Sequence, residues 1–452
     1  MAVLVAAQVW LAHVAALAPA AFLIALAFGV ALVVSFRSTL SGLCLVILFQ
    51  IRVLQSSETI SLDEVAYALL FVATLIGWLL REGPTDLGRR ILSGPLGRSI
   101  LLFLGLCFVS IVVAALFGWS PLWWFRDFVA FSYMLLFFPI AAALTSRRGA
   151  IVVAVAFLIL ILFHSVLAVA WYAQAIATTR AYWQLEWQRA PLHEVFAMTA
   201  VVVGLTGFVL SRSARAMAAW VLLTLPGVAA LAVSQTRGYW LATVLAAGAV
   251  VVMARGRRVR ALWFAVIVSA LIAAVAFATI GGKVIGVAMS MAQRLSSISS
   301  PLRSLSVQER VAEARSVLAL IPGSPIFGHG LGARVSYTSP VDHRGITTIY
   351  THNAYLYILY KLGIVGLGAF AAFYVRALRR TWRSLRDSGG GVSKIAMMAG
   401  LALLLAFLPL SLTSPQYYDK SSALIIALIL GAAEAGGQLT HARARPGAPA
   451  GD

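Results

Sequence analysis

Apolar runs separated by short basic stretches set the rhythm of this chain. Their spacing predicts helices near 3–17, 19–36, 40–54, 64–80, 99–117, 122–144 and 149–170. Further helices are predicted near 193–210, 216–233, 238–254, 261–280, 352–375, 393–410 and 421–437. A perpendicular membrane span needs ~20 apolar residues, and several of these runs are shorter. The first two read either as one broken helix or as a re-entrant pair, so the expectation is 12–14 transmembrane helices. One long polar segment, 281–351, interrupts the pattern. Within it Ser306-Val307-Gln308-Glu309 has the form of a capping box. After the box, Val311, Ala314, Val317, Leu318 and Ile321 recur at helical spacing as one apolar stripe, with Arg310 and Arg315 on the polar side. Pro322-Gly323 stops that helix. Gly328-His329-Gly330-Leu331-Gly332 follows, either as a turn beneath a helix or as a phosphate-binding loop.

Composition turns this pattern into a fold class. The chain has 452 residues, 61% of them hydrophobic and 11% charged, whereas a soluble domain carries about 25% charged residues. The expectation is an all-α polytopic membrane protein. Residues 1–440 read as a single transmembrane domain that includes 281–351 as a large, partly helical loop, and 441–452 as a disordered tail. The N-terminal stretch lacks the basic region of a cleavable signal peptide. Cys44 and Cys107 sit in apolar runs and read as two buried thiols.

The net charge of +20 does not point to nucleic acid, because of where the charges lie. Arg81, Arg89, Arg90 and Arg98 share one loop, Arg147 and Arg148 another. Arg212 with Arg215, the cluster from Arg255 to Arg260, the run from Arg376 to Arg386, and Arg443 with Arg445 follow in alternate loops. Such alternation is the positive-inside pattern, and it puts both termini in the cytoplasm. Segments 55–63, 171–194, 234–238 and 281–351 then face outward, and a fifth polar stretch, 411–420, joins the last two spans. Outside the cytoplasmic membrane there is no ATP and no nucleotide sugar. A transfer reaction there draws on a donor already activated and carried by lipid.

The residues suited to such chemistry are few. Seven basic residues (Lys283, Arg294, Arg303, Arg310, Arg315, Arg334 and Arg344) precede His352, which stands at the mouth of an outward helix end. A neutral imidazole accepts a proton near neutral pH, so His352 is the candidate general base. The plainer alternative is a histidine that caps its helix. His193, His329 and His343 lie in turn or interface settings and are weaker candidates. Arg189 belongs to an outer segment with Trp171, Tyr172, Tyr182, Trp183 and Trp187, which reads as an interfacial aromatic belt. Arg237 lies in a turn between two short apolar helices, where a cation is costly unless it meets an anion. Because a guanidinium fork matches phosphate oxygens, Arg189, Arg237 and Arg310 together are the candidate pyrophosphate cradle. Asn353 either supports His352 or caps its helix. No carboxylates stand at metal-ligand spacing, and no Ser-His-Asp order, Walker loop or CxxC pair is present. The reading is therefore metal-independent and cofactor-free, with arginines stabilising charge.

Taken in order, Ser234-Gln235-Thr236-Arg237-Gly238, Glu309-Arg310, Pro325-Ile326-Phe327-Gly328-His329-Gly330-Leu331-Gly332, His352-Asn353-Ala354-Tyr355-Leu356, and Gly363 with Gly366 resemble the bacterial O-antigen ligase and O-antigen polymerase superfamily over about 190–370. The resemblance implies a GT-C-like glycosyltransferase in the inner membrane with a periplasmic active site. Its donor would be a glycan on undecaprenyl pyrophosphate and its acceptor lipid A–core. His352 would act as base in an inverting displacement, with Arg189, Arg310 and Arg237 holding the departing pyrophosphate. A polymerase of the same superfamily would pass the chain to another carrier-linked repeat. The basic loop suits a phosphate-rich lipid A–core acceptor and so favours the ligase. The partners expected are the lipid-linked donor, the acceptor and membrane lipids, with no nucleic acid. A lipid or glycan transporter is the reading from another class. It would use ionisable groups inside the membrane, here Glu434 and a gating pair Arg126-Asp127.

Overall fold

The computed structural model describes residues 26–50, 62–178, 194–234, 236–254, 258–280, 305–341 and 343–443. The first helices are α1 Leu26–Arg37, α2 Thr39–Phe49, α3 Leu62–Arg81, α4 Asp86–Ser93, α5 Pro95–Leu116 and α6 Pro121–Ser132. After them come α7 Phe137–Ala143, α8 Arg147–Thr178, α9 Glu194–Leu210, α10 Ala214–Ser234, α11 Arg237–Met253 and α12 Arg258–Ile280. The remainder holds α13 Leu305–Leu320, a two-stranded hairpin, α14 Ala354–Asp387, α15 Gly391–Leu410 and α16 Lys420–Arg443. Among the described residues eight helical segments are long and apolar enough to cross a membrane, α6 and α7 forming one of them, and five shorter apolar helices accompany them. The chain is thus an all-α multi-pass membrane protein. The helix expected at 3–17 lies outside the described residues, as does the tail beyond Arg443.

Local chemistry sets the helix starts. Ser38 and Ser120 each accept an amide of the first turn, from Ser41 at 3.3 Å and Leu122 at 3.3 Å. Pro95 and Pro121 stand in the first turn of their helices, where the missing N–H costs nothing. Apolar side chains such as Leu102, Val109 and Val112 on α5 stand exposed, as lipid-facing positions do. The two cysteines are free, Cys107 buried and Cys44 half-buried.

Two compact units are present: Met1–Arg89 with Ser146–Leu160, and Arg90–Thr145 with Ile161–Asp452. In the first, α2 packs on α3, and Arg81 donates to the Thr39 hydroxyl at 3.2 Å. In the second, α9 and α10 approach closely because Gly204 faces Thr224 and Gly207 faces Trp220, with no room for a Cβ at either glycine. There α14 packs among α5, α15 and α16, and α11 lies against α15.

Within this unit α14 is interrupted. Gly363 adopts φ 65° and ψ −169° inside it. In an unbroken helix the Ile364 and Val365 amides would bond the Tyr360 and Lys361 carbonyls. Instead they donate to Pro325 O at 2.9 Å and Ile326 O at 3.2 Å, while His329 N and Gly330 N donate to Tyr360 O and Lys361 O, each at 2.9 Å. The 325–330 segment is therefore spliced into the helix at its break, and all four backbone groups stay satisfied. Gly328, Gly330 and Gly332 have φ of 71°, 83° and 81°. A Cβ on any of them would press on the backbone of Lys361, Ala114 or Trp124, at 2.4 to 2.5 Å. Of the two readings of this glycine-rich stretch the structure supports the turn, since its amides are committed within the protein. His329 is buried there between Phe117 and Tyr360.

A buried ion pair clamps the same break. Lys361, with a fully buried side chain, binds Asp127, whose side chain is 6% exposed. Lys361 also donates to Ile349 O at 2.9 Å, and Asp127 accepts Gly332 N at 2.6 Å. The expected gating pair Arg126-Asp127 is thus corrected: Asp127 faces α14, and the Arg126 guanidinium lies over Trp123 at 5.0 Å. Glu434 is likewise paired, with Arg380 at 3.1 Å.

The polar segment before α14 also departs from expectation. It contains strands β1 Val335–Thr338 and β2 Gly345–Thr348, paired antiparallel with Val335 opposite Thr348. Their β-branched residues favour this, and Val335 closes a small core with Val317, Ala333 and Tyr360. In α13 the expected stripe is only partly inward: Val317 is buried, whereas Val311 and Leu318 are exposed. Glu313 takes an inward place instead. The capping box is not made at Ser306, because the helix already includes Leu305 and Glu309 accepts from Ser339 of the hairpin turn. This segment is therefore held by polar bonds as much as by its apolar stripe.

Asp127→Asn leaves Lys361 buried and charged without a counter-ion, and is expected to cost about 3–5 kcal/mol. Asp127→Leu combined with Lys361→Met removes both charges and should recover most of that loss. Thermal unfolding of the purified variants measures it; an Asp127→Asn protein as stable as the native chain would show the clamp to be dispensable.

Candidate functional site

His352 follows β2 and stands two residues before α14. Its peptide is fixed from two sides. Tyr418 donates its hydroxyl to Thr351 O at 2.7 Å and accepts Thr351 N at 3.1 Å, while Ala354 N donates to Ser411 O at 2.9 Å. Tyr418 is itself stacked on Tyr357 with ring centroids 3.8 Å apart. The 411–419 connection thus serves as the mould in which 351–354 is cast. Asn353 caps α14 by accepting Tyr355 N and Leu356 N, both at 3.0 Å. Of its two candidate roles, these bonds are those of the cap.

The imidazole is oriented from α13. Glu313 Oε1 accepts His352 N at 3.0 Å, and Oε2 lies 2.7 Å from His352 Nδ1. The Glu313 side chain is 2% exposed and that of His352 36%. A carboxylate paired with Nδ1 makes that nitrogen the donor, so that in the neutral ring Nε2 carries the lone pair. A buried carboxylate on Nδ1 of a part-exposed imidazole is the arrangement of the base half of a catalytic triad, recognised by geometry rather than by sequence order. Such a group can take a proton from a hydroxyl brought against it.

Around this dyad the polar groups of four elements converge. The Tyr350 ring meets His352 edge to face at 5.0 Å and Tyr418 at 5.7 Å. Burial pushes the Tyr350 phenol above its usual range, with Asp419, Glu313 and Glu194 acting in the same direction and the Arg310 guanidinium opposing them. It is accordingly a neutral hydrogen-bond donor throughout the physiological range. Burial also raises Tyr418, the neighbouring Tyr350 adding to it. Arg310 lies on α13 three residues before Glu313, so both project from one side of the helix. Arg237 opens α11, next to Thr236, whose hydroxyl donates to Glu194 Oε1 at 2.8 Å. Glu194 and Asp419 also act together on Tyr239, the third residue of α11.

Of the residues expected from sequence, His352 meets the Tyr350 ring, on which the charge of Arg310 acts, Arg237 opens α11, and Arg189 lies outside the described residues. Three participants escaped sequence reading: Glu313, Tyr350 and Tyr418. For Glu313 the signal was present, as a lone acid on the inward side of α13 between Arg310 and Val317. For Tyr418 there was none, since it approaches His352 only through the fold. Among the described residues no three His, Cys, Asp or Glu side chains gather into a metal-ligand group.

Residues 218–371 match the protein family described as O-antigen ligase. That stretch runs from α10 into α14 and contains Arg237, Arg310, Glu313, Tyr350 and His352. No curated protein matches the chain.

Carbethoxylation by diethyl pyrocarbonate, mapped by mass spectrometry, tests the exposure of Nε2. His352 is expected to react readily, and His164 and His329, 3% and 8% exposed, to be protected. Protection of His352 to the same degree would mean that its ring is closed to substrate.

Proposed function

We propose, for a chain whose residues 218–371 match the O-antigen ligase family, that it transfers a polysaccharide from undecaprenyl pyrophosphate to lipid A–core at the periplasmic face of the inner membrane. The observation that carries this reading is the buried Glu313 bound to Nδ1 of His352, whose side chain is 36% exposed and whose ring meets Tyr350. In the reaction an acceptor sugar hydroxyl lies against Nε2. Its proton passes to the imidazole as the oxygen attacks the anomeric carbon, and the bond from that carbon to pyrophosphate breaks. Direct displacement inverts the anomeric centre. Glu313 holds the ring in the accepting tautomer and stabilises the imidazolium that forms. The leaving pyrophosphate carries away the bonding pair, and Arg310, Arg237 and Arg189 neutralise it, the role that a divalent ion fills in other transferases. Tyr350 donates to the sugar or to the departing oxygen.

The positive-inside pattern supports this orientation, with both termini cytoplasmic. The polymerase reading shares every residue named and differs only in the acceptor. The transporter reading would use the internal pairs Asp127 with Lys361 and Glu434 with Arg380, neither of which involves His352 or Glu313.

The assay uses purified protein, undecaprenyl-pyrophosphate-linked glycan and lipid A–core, in the presence of EDTA. His352→Ala is expected to lose about 10²–10⁴ in kcat, and Arg310→Ala about 10²–10³. Transfer by His352→Ala at the native rate would end the general-base assignment, and loss of native activity in EDTA would end metal independence. Glycan lengthened on its carrier with none on lipid A–core would identify a polymerase.

Glu313→Gln keeps the shape of the dyad but not its charge. It should lower kcat about 10–100-fold with the donor KM unchanged. A rise in KM at constant kcat would instead place Glu313 in substrate binding.

A further inference from the structure

The base and the arginine that opens α11 come from distant parts of the chain, and one buried side chain joins them. Gln416 lies in the 411–419 connection and is buried. Its Nε2 donates to the Tyr239 hydroxyl at 3.0 Å and to Ser414 Oγ at 2.8 Å. Its Oε1 accepts from the Tyr239 hydroxyl at 3.2 Å and from Ser422 Oγ at 2.9 Å. The Ser422 hydroxyl and amide each lie 2.8 Å from Asp419 Oδ2. One amide therefore engages three hydroxyls, from α11, from its own connection and from α16.

On one side this amide reaches Arg237. Tyr239 is buried in the first turn of α11, and its backbone N–H donates to Thr236 O at 3.0 Å, so its ring is tied to the turn that carries Arg237. Gly238 brings that turn close to the connection: a Cβ there would stand 3.3 Å from Leu410 and 3.5 Å from Thr413. On the other side the amide reaches His352. Tyr418 N and Asp419 N both donate to Pro415 O, at 3.2 Å and 2.9 Å, which makes Gln416 and Tyr418 parts of one turn. Tyr418 is the residue whose hydroxyl holds Thr351, next to His352.

Packing alone does not account for Gln416. An apolar core at this place needs neither the amide nor its hydroxyl partners. A fully bonded polar network instead specifies one arrangement of the elements that meet in it. We propose that Gln416 is a positioning residue, which holds the head of α11, and with it Arg237, in register with the turn that seats His352. The inference rests on the transferase reading and deepens it. There the base and the arginines act on the forming and breaking bonds of one anomeric carbon, and a misplacement of ~1 Å between such groups costs about 10²-fold in rate.

Gln416→Leu, Tyr239→Phe and Ser384→Ala are compared with the native full-length protein in the transfer assay and by hydrogen exchange read by mass spectrometry. Ser384→Ala is the control: it removes a buried hydrogen bond, Ser384 Oγ to Ala433 O at 2.7 Å, near the far end of α14. Gln416→Leu is expected to lower kcat about 10–100-fold with the donor KM unchanged. Tyr239→Phe should lower it by a smaller factor, and it carries the test alone if Gln416→Leu does not fold. The two changes together should fall no lower than Gln416→Leu, because they cut the same link. Amide protection should drop at both 236–241 and 351–356 in these variants, and Ser384→Ala should match the native chain in kcat and in both segments. Native kcat in Gln416→Leu and Tyr239→Phe, a raised KM at native kcat, multiplied losses in the double variant or an equal loss in Ser384→Ala would each overturn the proposal. So would protection lost at one segment without the other. A native chain that transfers no glycan would remove the transferase reading instead, and the exchange data would still decide whether the link exists.

Discussion

The break in α14 is the constraint on which the site depends. A membrane helix interrupted at Gly363 exposes two carbonyls and two amides in surroundings where water does not satisfy them. The chain answers by inserting its own 325–330 segment, which exchanges four hydrogen bonds with the broken turn. The buried pair of Lys361 with Asp127 then ties the insert to α6 through Gly332 and to the end of β2 through Ile349. A buried ion pair on its own is weak evidence of stabilisation. Here it has a positional consequence, because Ile349 is three residues from His352 and Gly332 is two residues before the residue whose carbonyl accepts from Tyr360.

From that anchor the geometry of the base follows in short steps. The hairpin rests on Val317 and Tyr360, so α13 is held against the start of α14. This places Glu313 against both the amide and the ring of His352. The 411–419 connection closes the other side through Tyr418 and Ser411. Glu309, Arg310 and Glu313 then act differently along one helix: Glu309 holds the hairpin turn, Glu313 holds the imidazole, and the charge of Arg310 acts on Tyr350. The exposed positions Val311 and Leu318 lie on the remaining face of α13.

Much of the architecture was legible from residue order. The runs at 64–80, 99–117, 216–233, 393–410 and 421–437 correspond to α3, α5, α10, α15 and α16 within a few residues, because about 20 consecutive apolar residues have few other solutions in a bilayer. The turn at 234–238 and the helix after Leu305 were legible as well. The hairpin was not, since four-residue strands offer too little periodicity to be told from loop. The capping box misled because Glu309 had a better-placed partner, Ser339, thirty residues away.

By itself the sequence determined that this is a polytopic helical membrane protein with a basic, histidine-bearing segment between its apolar helices, and it singled out His352, Arg189, Arg310 and Arg237. Those inferences rest on local quantities: hydropathy over one helix length, the side on which charges fall, and the chemistry of single side chains. The partner of His352, the break that shapes α14 and the counter-ion of Lys361 were decided only by the tertiary structure. Each joins residues from 31 to 234 positions apart. A carboxylate orients an imidazole only at hydrogen-bond distance, and proximity across such separations is a property of packing that no local pattern encodes.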